Sequence, residues 1–407
     1  MAHLSEYESI VGADTIEELR LYATKLSGKL IQNINSTGVG GGVAEILFRM
    51  LPLLHDLGVN SCWDVIKGDM KFFEVTKKFH NALHGKQVSF RQEELDLFIK
   101  TNEINARDMD LRGDIIFVHD PQPIALIEQK NKIQKKWIWR CHIDFSSPDP
   151  FLWGFLKKYI EQYDAAIFSA PSFARQLPIP QVLISPSIDP LSDKNRELPQ
   201  ETIDEVLTRF NIDKKRPIVA QISRFDYLKD PIGVVRAFRE ARKYIDCQLV
   251  LAGGGATDDP EGAQVLSEVK EIANNDPDIF LLFLPPASDI EINALQRAST
   301  VILQKSLKEG FGLTVSEALW KAKPVIAGAV GGIPLQVIHK YSGLLTHTIE
   351  GTAFALKQLL QNPEYAKKLG ENGREHVRKN FLITRHLRDY LLLFLSMEHK
   401  GEEIVYL

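Results

Sequence analysis

Residues 303–328, LQKSLKEGFGLTVSEALWKAKPVIAG, decide how the rest of the chain is read. An apolar run at 300–304 ends in a polar loop containing Gly310 and Gly312, a helical period follows over 313–321, and a second short apolar run fills 324–327. Strand, glycine loop, helix and strand form the repeating unit of a parallel α/β layer, since a parallel crossover needs room for a helix. The alternation continues outward. Upstream, strands are expected at 217–222, 248–252 and 279–284, with helices at 231–243, 262–273 and 290–298; a further helix is expected at 351–360. The first half carries its own series, with strands at 29–35, 61–66, 114–119, 137–142, 164–169 and 181–185. Its helices are expected at 43–57, 70–83, 92–106, 123–129 and 150–162. Between the two series, residues 186–199 (PSIDPLSDKNRELP) are polar and proline-rich and read as a linker. The expected architecture is α/β: two Rossmann-like domains, 1–190 and 191–380, facing each other across a cleft that holds one site. Residues after 363 read as helical throughout, and 381–407 is expected to pack back on the first domain.

A length of 407 residues suits two cores of this size. The hydrophobic fraction of 44% and the charged fraction of 25% are those of an ordinary folded chain. A net charge of −4 argues against a nucleic-acid binder, so any phosphate site is local. Cys62, Cys141 and Cys247 are widely spaced in apolar runs, which favours buried thiols over disulfides or zinc. The N-terminus lacks a basic segment followed by an apolar core, and the run LLLFL at 391–395 is too short to span a bilayer. A cytoplasmic protein without membrane contact is expected.

Within KEGFGLTVSEALW (308–320), Glu309 and Glu317 lie eight positions apart with Gly310 and Gly312 between them, so one continuous helix does not carry both. Glu309 falls in a tight loop and Glu317 about a turn inside the next helix. The segment can offer a carboxylate to sugar hydroxyls, amides to a phosphate and a second carboxylate to a ribose diol. Taken by itself the spacing also fits a glycine-containing helix entry with two solvated glutamates, a common arrangement. QISRFDYLKDP (221–231) follows a strand and places Arg224 and Lys229 at its carboxyl end, where two cations can hold a diphosphate or remain solvated surface charges. Gly38–Gly42 and Gly253–Gly255 are further glycine loops after strands, each open to a phosphate or to a plain tight turn. His142 (in RCHIDFS) and His119-Asp120 (in VHDPQP) end strands; His142 can donate to a sugar hydroxyl or be satisfied by a neighbouring carbonyl. Asp108-Met109-Asp110 has an Asp-x-Asp spacing but reads as a solvated helix end, and no metal site is expected.

QISRFDYLKDP, VLAGGG and LQKSLKEGFGLTVSEALWKAKPVIAG, in that order, resemble the retaining GT-B glycosyltransferases of family four. INSTGVGGGVAEIL, FFEVTKKFHNALHG and WRCHIDFSSPDP narrow the resemblance to the trehalose glycosyltransferring synthases, over essentially the whole chain. The resemblance implies transfer of glucose from a nucleotide sugar, UDP-glucose or ADP-glucose, to free glucose, with trehalose as product and no cofactor required. It implies Arg224 and Lys229 on the diphosphate and Glu317 on the ribose. Glu309, Gly310, Phe311, Gly312, Leu313 and Thr314 would engage the donor glucose and nearby phosphate. His142 would lie near the transferred sugar, with Gly40, Gly41, Gly42, Gly253 and Gly254 closing on the donor. Glu45, Asp120 and Asp144 are assigned to the acceptor from position alone. Small molecules are the expected partners, and a homodimer is left open. Trehalose phosphorylase on the same scaffold, a sugar-nucleotide epimerase and a non-catalytic sugar-nucleotide sensor are the alternatives.

Overall fold

Two parallel sheets follow from the two series of apolar runs. The computed structural model describes residues 3–38, 41–254 and 260–398. The chain divides into two compact units, one of Met1–Ser187 with Ile383–Leu407 and one of Ile188–Leu382.

In the first unit the strands are β1 (Leu30–Asn35), β2 (Asn60–Val65), β3 (Ile115–His119), β4 (Lys136–Cys141), β5 (Ala165–Phe168) and β6 (Gln181–Leu183). They pair in parallel in the order β2-β1-β3-β4-β5-β6. The central strand β3, IIFVH, is buried at every position, as a strand covered on both faces must be. Register sets Asn33 opposite Phe117 and His119 opposite Arg140. The second unit holds β7 (Ile218–Ile222), β8 (Gln248–Gly253), β9 (Ile279–Phe283), β10 (Val301–Gln304), β11 (Val325–Gly328) and β12 (Leu344–Thr346). Their order is β12-β11-β10-β7-β8-β9, again parallel. In both sheets the order reverses at one point, between β1 and β3 and between β7 and β10, and the crossovers there leave in opposite directions. Such a point opens a crevice beyond the strands' carboxyl ends.

Several local readings are revised. The segment expected as a helix at 123–129 is a 3₁₀ helix, Ile124–Gln129, that buries Ile124, Ala125, Leu126 and Ile127 and runs into a short α-helical turn, Lys130–Ile133. The helices Ala13–Thr24 and Gln200–Arg209 and the strand β12 were not legible from the sequence. Residues 186–199, read as a linker, do contain the junction of the two units at Ser187–Ile188, but the stretch is largely buried. Ser187, Asp189, Ser192 and Asn195 are buried, and the Asp189 carbonyl accepts from Ser192 Oγ (2.9 Å) and Asn195 Nδ2 (3.0 Å). The C-terminal stretch is two helices, Pro363–Asn380 and Ile383–Glu398, separated by the buried pair Phe381 and Leu382. The latter helix belongs to the first unit, where Tyr390 and Phe394 pack edge-on against Phe117 at 5.1 and 5.8 Å between ring centres. Cys141 and Cys247 are buried thiols, while Cys62, on an edge strand, is only half-buried. No helix among the described residues is long and apolar enough to cross a membrane.

Candidate functional site

In the second unit, β7 and β10 are neighbours at the reversal point, so the residues following each emerge side by side. Lys229 follows β7, Glu309 follows β10, and Lys229 Nζ donates to Glu309 Oε2 at 2.5 Å. The same oxygen accepts from Ser306 Oγ (3.1 Å) and Gln304 Nε2 (3.5 Å). Glu309 is buried, so this web of donors is what makes its charge tolerable there. Gln221, near the end of β7, ties the two loops together. Its Oε1 accepts the Lys305 N–H at 3.0 Å and its Nε2 donates to the Lys229 carbonyl at 3.0 Å. The Lys305 ammonium pairs with Asp230, which also caps the helix Pro231–Arg242 by accepting the Gly233 N–H. Arg224 behaves differently: its side chain is 52% exposed and lies 3.4 Å from Asp226.

Beyond Glu309, Gly312 takes a left-handed conformation (φ 82°) and starts the helix Leu313–Trp320 with no capping side chain. Its first-turn N–H groups, around Leu313 and Thr314, thus have no side-chain acceptor at the cap and are suited to an anion. Two tertiary contacts shape the loop. Gln336 donates to the Phe311 carbonyl (2.5 Å) and accepts from Ser316 Oγ (2.6 Å). Gly331 passes so close that a Cβ there would stand 1.6 Å from the Glu309 carbonyl oxygen. Thr314 Oγ1 donates to Gln304 Oε1 at 3.2 Å. Phe311 is buried, its ring 5.5 Å from that of Phe381. Glu317, one turn into the helix, is buried and accepts from Gln296 Nε2 at 3.3 Å. Lys321, a turn further on, donates to Asn195 Oδ1 at 2.9 Å. Burial brings the Lys321 ammonium down to about 7, against the opposing pull of Glu317. Gly253 ends β8, where a Cβ would meet the Ser223 carbonyl oxygen at 1.9 Å, so only glycine lets the Arg224 loop pass; Gly254 comes next. Gly255 lies outside the described residues, as does Gly40. Gly41 and Gly42 open the helix Gly41–Asp56, on which Glu45 is exposed.

The first unit gathers a second group of residues at the carboxyl ends of β3 and β4. Asp120, just past β3, has φ 64°, a conformation that short polar side chains tolerate better than most. Its carboxylate accepts the His142 N–H (2.8 Å), its own N–H donates to the Arg140 carbonyl (2.7 Å), and its carbonyl accepts from Trp139 Nε1 (2.9 Å). Burial raises the Asp120 carboxyl to about 6. His119 Nδ1 lies 3.2 Å from His142 Nε2, and His119 Nε2 lies 3.2 Å from Asn33 Oδ1. Burial, and next the Arg140 guanidinium, hold both imidazoles below their ordinary range, His119 at about 3. Arg140 is fully buried and donates to Tyr390 Oη (2.6 Å), His386 Nε2 (3.1 Å) and the Ile184 carbonyl (3.0 Å). Asp144 is buried and accepts the Ser146 N–H at 2.8 Å, which closes a tight turn.

The structure therefore brings together Lys229, Glu309 and the 310–314 loop in one unit, and His119, Asp120 and His142 in the other. Sequence reasoning missed Gln221, Gln304, Gln336, Gly331 and Asn33. A polar residue at the end of an otherwise apolar strand (VAQI, VILQ) was the available signal for Gln221 and Gln304; Gln336 had none. No group of three or more His, Cys, Asp or Glu side chains fit to hold a metal ion occurs among the described residues.

Comparison with known proteins gives the following matches. Residues 33–175 match the family described as "Trehalose synthase, N-terminal domain", and residues 203–376 match "Glycosyl transferases group 1". A trehalose synthase of Pyrococcus horikoshii is 43% identical over 404 residues, covering 97% of this chain and 96% of that one. A trehalose synthase of Rubrobacter xylanophilus is 42% identical over 403 residues, covering 97% of each. Among solved structures, a sucrose-phosphate synthase from Thermosynechococcus elongatus superposes with a TM-score of 0.72 at 20% identity, covering 92% of this chain and 100% of that one. The fold is of the GT-B type, with two Rossmann-like α/β units.

Proposed function

The chain belongs to the trehalose synthase family of glycosyltransferases, and from that premise we propose that it transfers glucose from a nucleoside-diphosphate glucose to free glucose, forming α,α-trehalose. The carrying observation is the Lys229–Glu309 pair beside an uncapped helix start at the β7/β10 reversal point. A cation and helix amides for a diphosphate stand next to a carboxylate for sugar hydroxyls. In the resting chain Lys229 neutralises Glu309. A bound diphosphate competes for that ammonium, which releases Glu309 to accept from hydroxyls of the donor glucose. Arg224, already in solvent, reaches for the same phosphates, and Glu317 takes the ribose diol.

The anomeric configuration of the donor is retained. The glycosidic C–O bond to the diphosphate breaks first, giving a short-lived oxocarbenium–diphosphate ion pair. The acceptor hydroxyl attacks from the same face and passes its proton to the departing phosphate oxygen. Lys229, Arg224 and the helix amides hold the developing charge, so the protein supplies mainly electrostatics and positioning and needs no metal. Asp120, Asp144 and Glu45 are assigned to the acceptor glucose, and UDP- and ADP-glucose are the donors to try first. A cytoplasmic location is part of the same proposal, in keeping with a nucleotide-sugar substrate.

The test is to incubate the protein with glucose and, separately, UDP-, ADP- and GDP-glucose in EDTA, and to measure trehalose and released diphosphate. Equal amounts of the two are expected. Diphosphate without disaccharide would overturn the glucose acceptor. No donor consumption, with phosphate-dependent cleavage of trehalose, would move the assignment to a phosphorylase.

A further inference from the structure

The hydrogen bonds around His142 have a direction that the side chains themselves dictate. Asn33 Nδ2 donates to the Cys62 carbonyl (3.4 Å), which orients the carboxamide with Oδ1 toward His119. A carboxamide oxygen only accepts, so His119 must carry its proton on Nε2 to make the 3.2 Å contact. Its Nδ1 is then a lone pair, and the 3.2 Å contact with His142 Nε2 requires the proton on the His142 side. A neutral His142 protonated on Nε2 has one ring atom left, Nδ1, and that atom accepts.

We propose that Asn33 and His119 are positioning residues that fix the ring tautomer of His142, so that His142 meets a sugar hydroxyl through Nδ1 as an acceptor. The owner of that hydroxyl rests on the trehalose-forming reading; the tautomer does not. The arrangement reverses the expectation that His142 donates to the sugar. His119 is 1% exposed and Asn33 3% exposed, so water does not compete for the contacts that set the direction. Burial, and next the Arg140 guanidinium, itself fully buried in the same unit and without a paired carboxylate among the described residues, keep both rings uncharged. The Arg140 guanidinium likewise fixes the tautomer of His386. Arg140 can only donate, so His386 Nε2 accepts and its Nδ1–H donates to Ser187 Oγ at 2.9 Å.

Ring ¹⁵N NMR of the full-length protein labelled at histidine reads tautomers directly, with His142 assigned by its loss in His142→Asn. The expected spectrum has a protonated, pyrrole-type Nε2 and an unprotonated, pyridine-type Nδ1 at His142. In Asn33→Ala the His119 proton loses its acceptor, and both His142 nitrogens should move toward the average of the two tautomers. Asn33→Asp places a buried carboxylate on His119 and favours its charged form, which donates through Nδ1, so the His142 proton should move to Nδ1, a reversal that a merely structural role for Asn33 would not produce. Protonation of His142 on Nδ1 in the wild type, or an unchanged His142 in Asn33→Ala, overturns the relay. Turnover is read in parallel. A drop of about tenfold in Asn33→Ala, the worth of one good hydrogen bond, is expected. A shifted tautomer with unchanged turnover overturns the sugar-hydroxyl contact. A wild type that makes no trehalose overturns the functional reading instead, and leaves the NMR result standing.

Discussion

Lys229 has two claims on it. Glu309 holds its ammonium at 2.5 Å, and the proposed reaction needs it on a departing diphosphate. Lys229→Ala and Arg224→Ala should each lower turnover about 10²-fold, the usual effect of losing a charge-stabilising group, measured as diphosphate release. Wild-type rates in both would remove the assignment. Only Lys229→Ala leaves a buried carboxylate short of its cation, so it alone should lower stability, by about 1–3 kcal/mol in urea unfolding. Asp120 makes the opposite kind of prediction. Its folded carboxyl titrates at about 6 because of burial, against about 3.9 in an unfolded chain. Between those values the folded state binds more protons than the unfolded one, so stability falls as pH rises through the window, and the penalty is complete above it. Asp120→Asn keeps an acceptor for the His142 N–H and suits the positive φ. It should therefore gain about 1–3 kcal/mol at pH 7, with the gain gone below about pH 4. If Asp120 binds the acceptor, the same variant raises KM for glucose. A variant no more stable than wild type at pH 7 would show that the buried carboxyl carries no such cost.

At the scale of elements, the 309–313 loop owes its shape to residues remote in sequence. Gln336, 25 positions away, holds the Phe311 carbonyl and Ser316, and it is fully buried. Gln336→Ala should lower stability by about 1–3 kcal/mol and turnover several-fold, since it frees a buried carbonyl and loosens the loop. Calorimetry and the trehalose assay check the two effects, and an unaltered melting temperature would show that the loop holds itself. All the strands but β12 were legible to within one or two residues, the central ones because buried parallel strands such as β3 (IIFVH) and β7 (IVAQI) are near-continuous apolar runs. Helix was legible at 124–129 but its 3₁₀ winding was not, because the four consecutive apolar residues Ile124–Ile127 are too few to measure a period. The burial of the 186–199 stretch was not legible because Asp189, Ser192 and Asn195 look solvated in sequence, yet they satisfy one another in a buried turn. The glutamate loop was found from its glycines and charges, whereas its supports, Gln336 and Gly331, lie outside any local pattern.

Over the whole molecule, the first unit is discontinuous in sequence, completed by the helix Ile383–Glu398. That helix buries Leu387, Leu391, Phe394 and Leu395 and supplies His386 and Tyr390 to the Arg140 guanidinium. A chain ending at residue 382 should lose amide protection through β1, β3 and β4 while β7, β8 and β10 stay protected, as read by hydrogen exchange. Equal protection in both units would show that the first unit folds without its last helix. The amino-acid sequence alone determined the class of fold, the two series of strands, and the charged and glycine-bearing segments after β7 and β10, because these are written in short-range pattern. Tertiary structure alone decided which charges neutralise each other, which glutamines tie one loop to the next, and which nitrogen of His142 bears a proton. Those depend on donors and acceptors brought within hydrogen-bonding distance across tens to hundreds of residues, and no local pattern encodes such a meeting.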